Sequence, residues 1–348
     1  IRTSSPNEAL TVSGNISASG GLSASKITGG TNSQNTGNEA AVLGGINNTA
    51  SGNCASVLGG ISNLAGGVNS VAGGCGNTAT GNYSIALGGE ALSALGTWSS
   101  VGGGIGNCAS SNLTRIGGGC NNKTTGNAAS ILGGVYNTAS GGCSFVGGGY
   151  QVQSIGNCSV ASGGLLNKAC GAKSFVGAGF NNHACGTDSV VVGGYINKAS
   201  NNNSFVGAGY GNETASNCAV VVGGKCNCAS GLNSVIGGGS YNYASGTYSV
   251  IGGGGHGTSQ FKNEADASRS GILGGKANKI TSAGTYSFIG TGCGNTVNKG
   301  SSVIVGGFSN TASSSASFVG GGFSNTASGS ATFVGGGFSN TASGSASF

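Results

Sequence analysis

Chemistry in this chain would have to come from few side chains. His183 and His256 are its only histidines, and seven acidic residues are spread over 348 positions. From these we can assemble neither a nucleophile with its base nor a working pair of carboxylates, so the residues give no support to an enzyme. Twelve cysteines are the larger resource. Cys226 and Cys228 are two apart, but no second Cys or His pair stands at ligand spacing, so a metal site has little basis. Gly252, Gly254 and Gly257 satisfy G-x-G-x-x-G on paper. With 77 glycines and no helical pattern after the motif, the match is near chance, and no cofactor is expected.

The densest cluster of charge is "GGGGHGTSQFKNEADASRSG", Gly252 to Gly271, which gathers His256, Lys262, Glu264, Asp266 and Arg269. It reads either as a recognition loop or as a solvated insertion without a duty. Trp98, the single tryptophan, sits in a smaller irregularity near Ala91 to Ser99, where it could pack at a shifted rung or stack on a sugar.

What must hold these residues is a repeat. Aligned on the last glycine of each Gly-Gly pair, the chain shows twenty units, nearly all fifteen residues long. Gly60, Gly134, Gly149, Gly194, Gly254 and Gly322 are members of this row and read as corners. Three residues before each lies a β-branched residue, as at Val57, Val71, Ile131, Val146, Val191, Ile251 and Val319, replaced only by Ala86 and Ala161. One such position per unit predicts a stacked core ladder. Collagen is excluded by one proline, and disorder by 37% apolar and 6% charged residues. No apolar stripe at helical spacing occurs. The fold class expected is all-β, a parallel β-roll or solenoid.

The residues flanking the ladder trade volume. Phe145 goes with Gly147, Phe175 with Gly177 and Phe333 with Gly335, whereas Ala41 goes with Leu43 and Ser130 with Leu132. Such compensation suggests a strand buried on both faces, its outer face covered by other chains; three copies about an axis would do so most economically. The second half of each unit, Asn-Thr-Ala-Ser-Gly, places small residues such as Ala139 inside and Lys123, Lys168, His183, Lys198 and Glu213 on a wet face. Its closing glycine, read as becoming Asn201 and Asn217 in two units, suggests a backbone φ above zero. After the corner glycine runs an aromatic row, Tyr150, Phe180, Tyr195, Tyr210, Phe308, Phe323 and Phe338, suited to packing between protomers or to sugar stacking. Cys170 and Cys185 share one place in adjacent units, within disulfide reach at about 4.8 Å, so a staple is permitted without being required.

The units "NTASGNCASVLGG" and "NTASGSATFVGGG" resemble the YadA-like head repeats of trimeric autotransporter adhesins, over residues 35–348. That resemblance implies a left-handed, homotrimeric β-roll that binds host surfaces or matrix. The lead-in, residues 1–34, with "LTVSGNISASGGLSAS", looks instead like short β repeats in tail and virion fibres of phages and large DNA viruses. Unpaired cysteines agree with a fibre assembled in a reducing cytosol.

The expected function is therefore an adhesive fibre on a virion or other extracellular surface, with a bacterial adhesin head as the alternative. An unidentified receptor or glycan and further fibre, capsid or tail components would be its partners. The start at Ile1 and the stop inside a repeat suggest a piece of something longer. No basic run supports nucleic-acid binding, and no apolar stretch supports membrane insertion. Ice binding by the row Thr49, Thr138, Thr311, Thr326 and Thr341 is a minor alternative, since Lys123, Lys168, His183, Lys198 and Glu213 break it.

Overall fold

The computed structural model describes residues 26–348. Short strands alternate between two parallel sheets of 21 strands each, one strand of each sheet per rung. The first sheet runs from Ile27–Thr28 to Phe333–Val334, and the second from Gln34–Asn35 to Thr341–Ala342. Each strand pairs with its counterpart one rung on, as in Phe145↔Val160 and Thr138↔Gln153, so the chain winds as a β-solenoid. Residues 1–25 of the expected lead-in lie outside the described residues. The repeat does not begin at position 35: Ile27 already pairs with Ala41, and Gln34 with Thr49.

The core is two rows wide. Val57, Ile131, Val146, Val191, Ile251 and Val319 have no exposed surface, and neither do Ala50, Ala139, Ala184 and Ala327 opposite them. One ladder assignment fails. The rung closing at Gly74 has fourteen residues, so Val71 pairs with Ser56 and faces outward, while Ala72 pairs with Val57 and is buried.

A third inner row holds the first corner together. Asn197, buried, donates from Nδ2 to the Gly193 carbonyl at 2.8 Å and to the Gly209 carbonyl of the next rung at 2.8 Å. Its Oδ1 accepts the Asn212 N–H at 2.9 Å. The same contacts recur from Asn48 to Asn325, and they pair polar backbone groups that a narrow interior hides from water. Leu92 and Val152 take the asparagine's place in two rungs, both fully buried. At the opposite corner, serines such as Ser159, Ser189 and Ser234 return Oγ to the carbonyl three residues back, each at 2.7 Å.

The corner glycines are required twice over. Gly60, Gly134, Gly149, Gly194, Gly254 and Gly322 have φ of 104°, 91°, 96°, 94°, 83° and 87°. A Cβ on Gly134 would also lie 2.3 Å from the Gly149 oxygen. The closing glycine of each rung differs from expectation. Gly52 and its counterpart Asn201 are not among the residues with positive φ, nor is Asn217, and the counterpart two rungs before Gly246 is Ser216 rather than Asn217. A Cβ on Gly52 would meet the Gly67 oxygen at 2.0 Å, so glycine suits this close approach, although Ser111, Asn201, Ser216 and Ala267 hold the same place in other rungs. The left-handed residue of this corner stands two positions later, as at Cys54, Asn69 and Trp98.

Asn197→Ala leaves a cavity and unpairs the Asn212 N–H and the Gly193 carbonyl. It should cost about 3 kcal/mol. Asn197→Leu, which fills the volume as Leu92 does, should cost less. Urea unfolding with hydrogen exchange of the neighbouring rungs reads the difference; equal losses would show that the side-chain bonds, and not the filled volume, set the cost.

Candidate functional site

The rod presents unlike surfaces, each set by one position in the rung. The outer face of the first sheet carries Phe145, Val160, Phe175, Val190, Phe205 and so on in register, with Leu132, Val192 and Val222 two residues further along their own rungs. From Phe145 to Phe333 no charged side chain stands in this strand row. The chain alone does not bury it: Leu132 is 60% exposed and Val222 54%. Phe and Gly adjoin inside one rung, but the glycine answers first to the stack: a Cβ on Gly177 would meet the Val192 oxygen of the next rung at 2.1 Å and Phe175 Cε1 only at 3.5 Å, an ordinary contact. Volume compensation therefore does not by itself require a second chain.

Beyond the glycine corner runs the aromatic row. Phe180, Tyr195 and Tyr210 stack at 4.7 and 5.1 Å between centroids, and Phe308, Phe323 and Phe338 at 5.1 Å. Most of these rings are exposed in the single chain, Tyr195 at 42% and Phe323 likewise. Trp98 does not mark a shifted rung. Ser93 keeps a fifteen-residue register with Thr78 and Cys108, and Trp98 sits at a left-handed corner, stacked on Tyr83 at 4.1 Å.

The insertion is smaller than its charged residues suggested. Tyr243 pairs with Glu264, twenty-one residues on, so six residues are extra. Glu264 and Asp266 lie in the regular rung, and Arg269 occupies the next left-handed corner, between Tyr248 and Tyr286 at 5.5 and 5.4 Å. Of the five charged candidates only His256 and Lys262 border the added loop. That loop is a compact knob: Ser259–Phe261 forms a 3-10 turn, His256 meets Phe261 edge-on, and the Phe261 carbonyl accepts the Ala277 N–H at 3.0 Å. Glu264 ties it down, pairing with Lys262 and with Lys279 at 2.6 Å. Burial works to raise its carboxyl, but the two lysine hydrogen bonds outweigh that and hold it below the usual carboxylate range.

On the outer face of the second sheet, Lys168, His183, Lys198 and Glu213 are neighbours in consecutive rungs. Burial, then Lys168 and Lys198, depresses the His183 imidazole. Cys170 and Cys185 are joined by a disulfide with Cα atoms 4.6 Å apart. The cysteines two apart diverge, Cys226 at a left-handed corner and Cys228 in the strand. Burial, then Glu213, pushes the Cys228 thiol up to about 11.

No family model matches this chain, and neither does any curated protein.

Two outcomes follow from these placements. Deleting His256–Phe261 joins Gly255 to Lys262 and restores a fifteen-residue rung, so melting temperature should move by no more than a few degrees; loss of folding would show that the knob is part of the stack. At pH 8 only about one Cys228 thiol in a thousand is ionised, so iodoacetamide should label it only as pH approaches 11. Glu213→Gln should shift that labelling to lower pH, and prompt labelling of Cys228 itself at pH 8, read by peptide mapping apart from the exposed cysteines such as Cys143 and Cys218, would contradict the burial.

Proposed function

We propose that this chain forms a structural, adhesive fibre, a rigid homotrimeric rod displayed on a virion or other extracellular surface that reaches and attaches to a host. One observation carries the reading: a solenoid of 21 stacked rungs keeps an uncharged apolar face from Phe145 to Phe333, while its second sheet faces outward with polar residues. At about 4.8 Å per rung the rod is roughly 100 Å long and the uncharged stripe roughly 60 Å, an apolar surface that is costly to leave in water.

A partner that covers such a stripe must share its period. Another copy of the chain does so without further design. Each chain offers two different rows, one on either side of the glycine corner: the uncharged strand row, and an aromatic row that Lys225, Ser240 and Lys276 divide into two stacks. A face-to-face pair buries one kind of row against itself, whereas a ring of three sets the first row of each copy against the second row of the next and covers both. The resemblance to trimeric adhesin heads agrees with that arrangement, and ten cysteines outside any disulfide favour assembly in a reducing cytosol over export as a bacterial head. Adhesion then falls to the outward features, the knob at His256–Phe261 and the polar second sheet.

Val192→Arg combined with Val222→Arg places two charges in the apolar face without touching the lumen. Sedimentation velocity should show a lighter species with the β-rich circular dichroism retained. Unchanged sedimentation with unchanged dichroism would remove this face from the assembly.

A further inference from the structure

The second-sheet surface contains an arrangement that the rod's architecture does not need. Lys168, His183 and Lys198 sit side by side in register, though the chain has only thirteen Lys and Arg residues. Like charges on neighbouring strands weaken pairing. Lys198 is neutralised by Glu213 at 3.2 Å, whereas Lys168 has no acidic partner among the described residues. His183 is held by Asn181, with Nε2 3.0 Å from Oδ1.

Beside Lys168 and His183 the surface opens into a groove of about 390 Å³, lined also by Tyr136, Gln151, Gln153 and Leu166. Tyr136 is 49% exposed, and an edge-on contact with Tyr150 at 5.8 Å sets its ring. The groove thus combines an aromatic ring and a leucine, two amides that both donate and accept, and one ammonium, that of Lys168, which attracts an anion. Its volume falls at the lower end of small-ligand sites, roughly 300 to 1,000 Å³, enough for one or two sugar rings.

We propose that this groove binds a uronic-acid unit of an acidic polysaccharide. The apolar face of the pyranose packs on Tyr136 and Leu166, hydroxyls pair with Gln151, Gln153 and the neutral His183 imidazole, and the carboxylate lies against Lys168. Because the rungs repeat along the rod, a linear glycan can run along its axis through this point. The assignment rests on the adhesive-fibre reading and gives it a ligand class.

The test uses the full chain, with trigalacturonic acid as probe and maltotriose as its neutral counterpart, followed by calorimetry alongside native mass. Binding of the acidic trimer and not the neutral one is expected, with Lys168→Gln and Tyr136→Ala each weakening it at least tenfold and Lys198→Gln changing it less than twofold. Equal affinity in the Tyr136 and Lys168 variants, equal loss in Lys198→Gln, equally tight binding of tripolyphosphate, or no binding of the acidic trimer would overturn the assignment. If that happens while the native mass remains trimeric, the site fails and the fibre reading stands; a monomeric mass strikes at the fibre reading instead.

Discussion

The structure depends on satisfying backbone polar groups inside a tube too narrow for water. A fifteen-residue rung turns at both ends of each short strand; many corner groups bond the next rung directly, as the Tyr195 N–H does the Gly209 carbonyl, but carbonyls such as that of Gly193 fall outside the backbone ladders. The asparagine row answers this at one corner, each amide bridging its own rung and the next. Stacking therefore does more than bury Val and Ala, because a rung without a neighbour would lose both its strand bonds and its corner bonds. Such nearest-neighbour dependence lets a rod lengthen by repetition.

The same dependence explains where the chain can vary. Inner positions accept only Val, Ile, Ala, Asn, Ser and similar small residues, whereas the left-handed corners accept Tyr136, Leu166, Ile196, Lys173 or Arg269, all with positive φ. An isolated non-glycine residue there costs on the order of 1 kcal/mol, and the bonds to the rungs on either side hold it in place. Corners and outer strand positions are thus free to carry knobs, aromatic stacks and charges. The knob at His256–Phe261 exploits this freedom, leaving register intact on both sides.

Periodic features were legible in the sequence because every rung tests them again. The Val and Ile ladder and the corner glycines were read correctly almost throughout; Val71 was misplaced because a single deletion shifts the ladder by one residue. Nothing in the sequence marks the repeating asparagine as buried and bridging, because the same residue type is common at exposed turns. The pairing of Phe with Gly suggested volume compensation, but a sequence does not tell that the next rung's backbone oxygen comes within 2.1 Å of where a Cβ on Gly177 would stand. The Tyr136 groove was invisible because its residues come from successive rungs, on two different sides of a corner. Charges gathered in sequence, Glu264, Asp266 and Arg269, proved to belong to the regular rung.

What ties fold to function in this account is a long apolar face covered by further copies of the same chain. Native mass by light scattering, with and without reductant, addresses that most directly. The account predicts a mass near three times 32.7 kDa under both conditions, the Cys170–Cys185 bond lying within one chain. A mass near 32.7 kDa, with the face open to solvent, would contradict it.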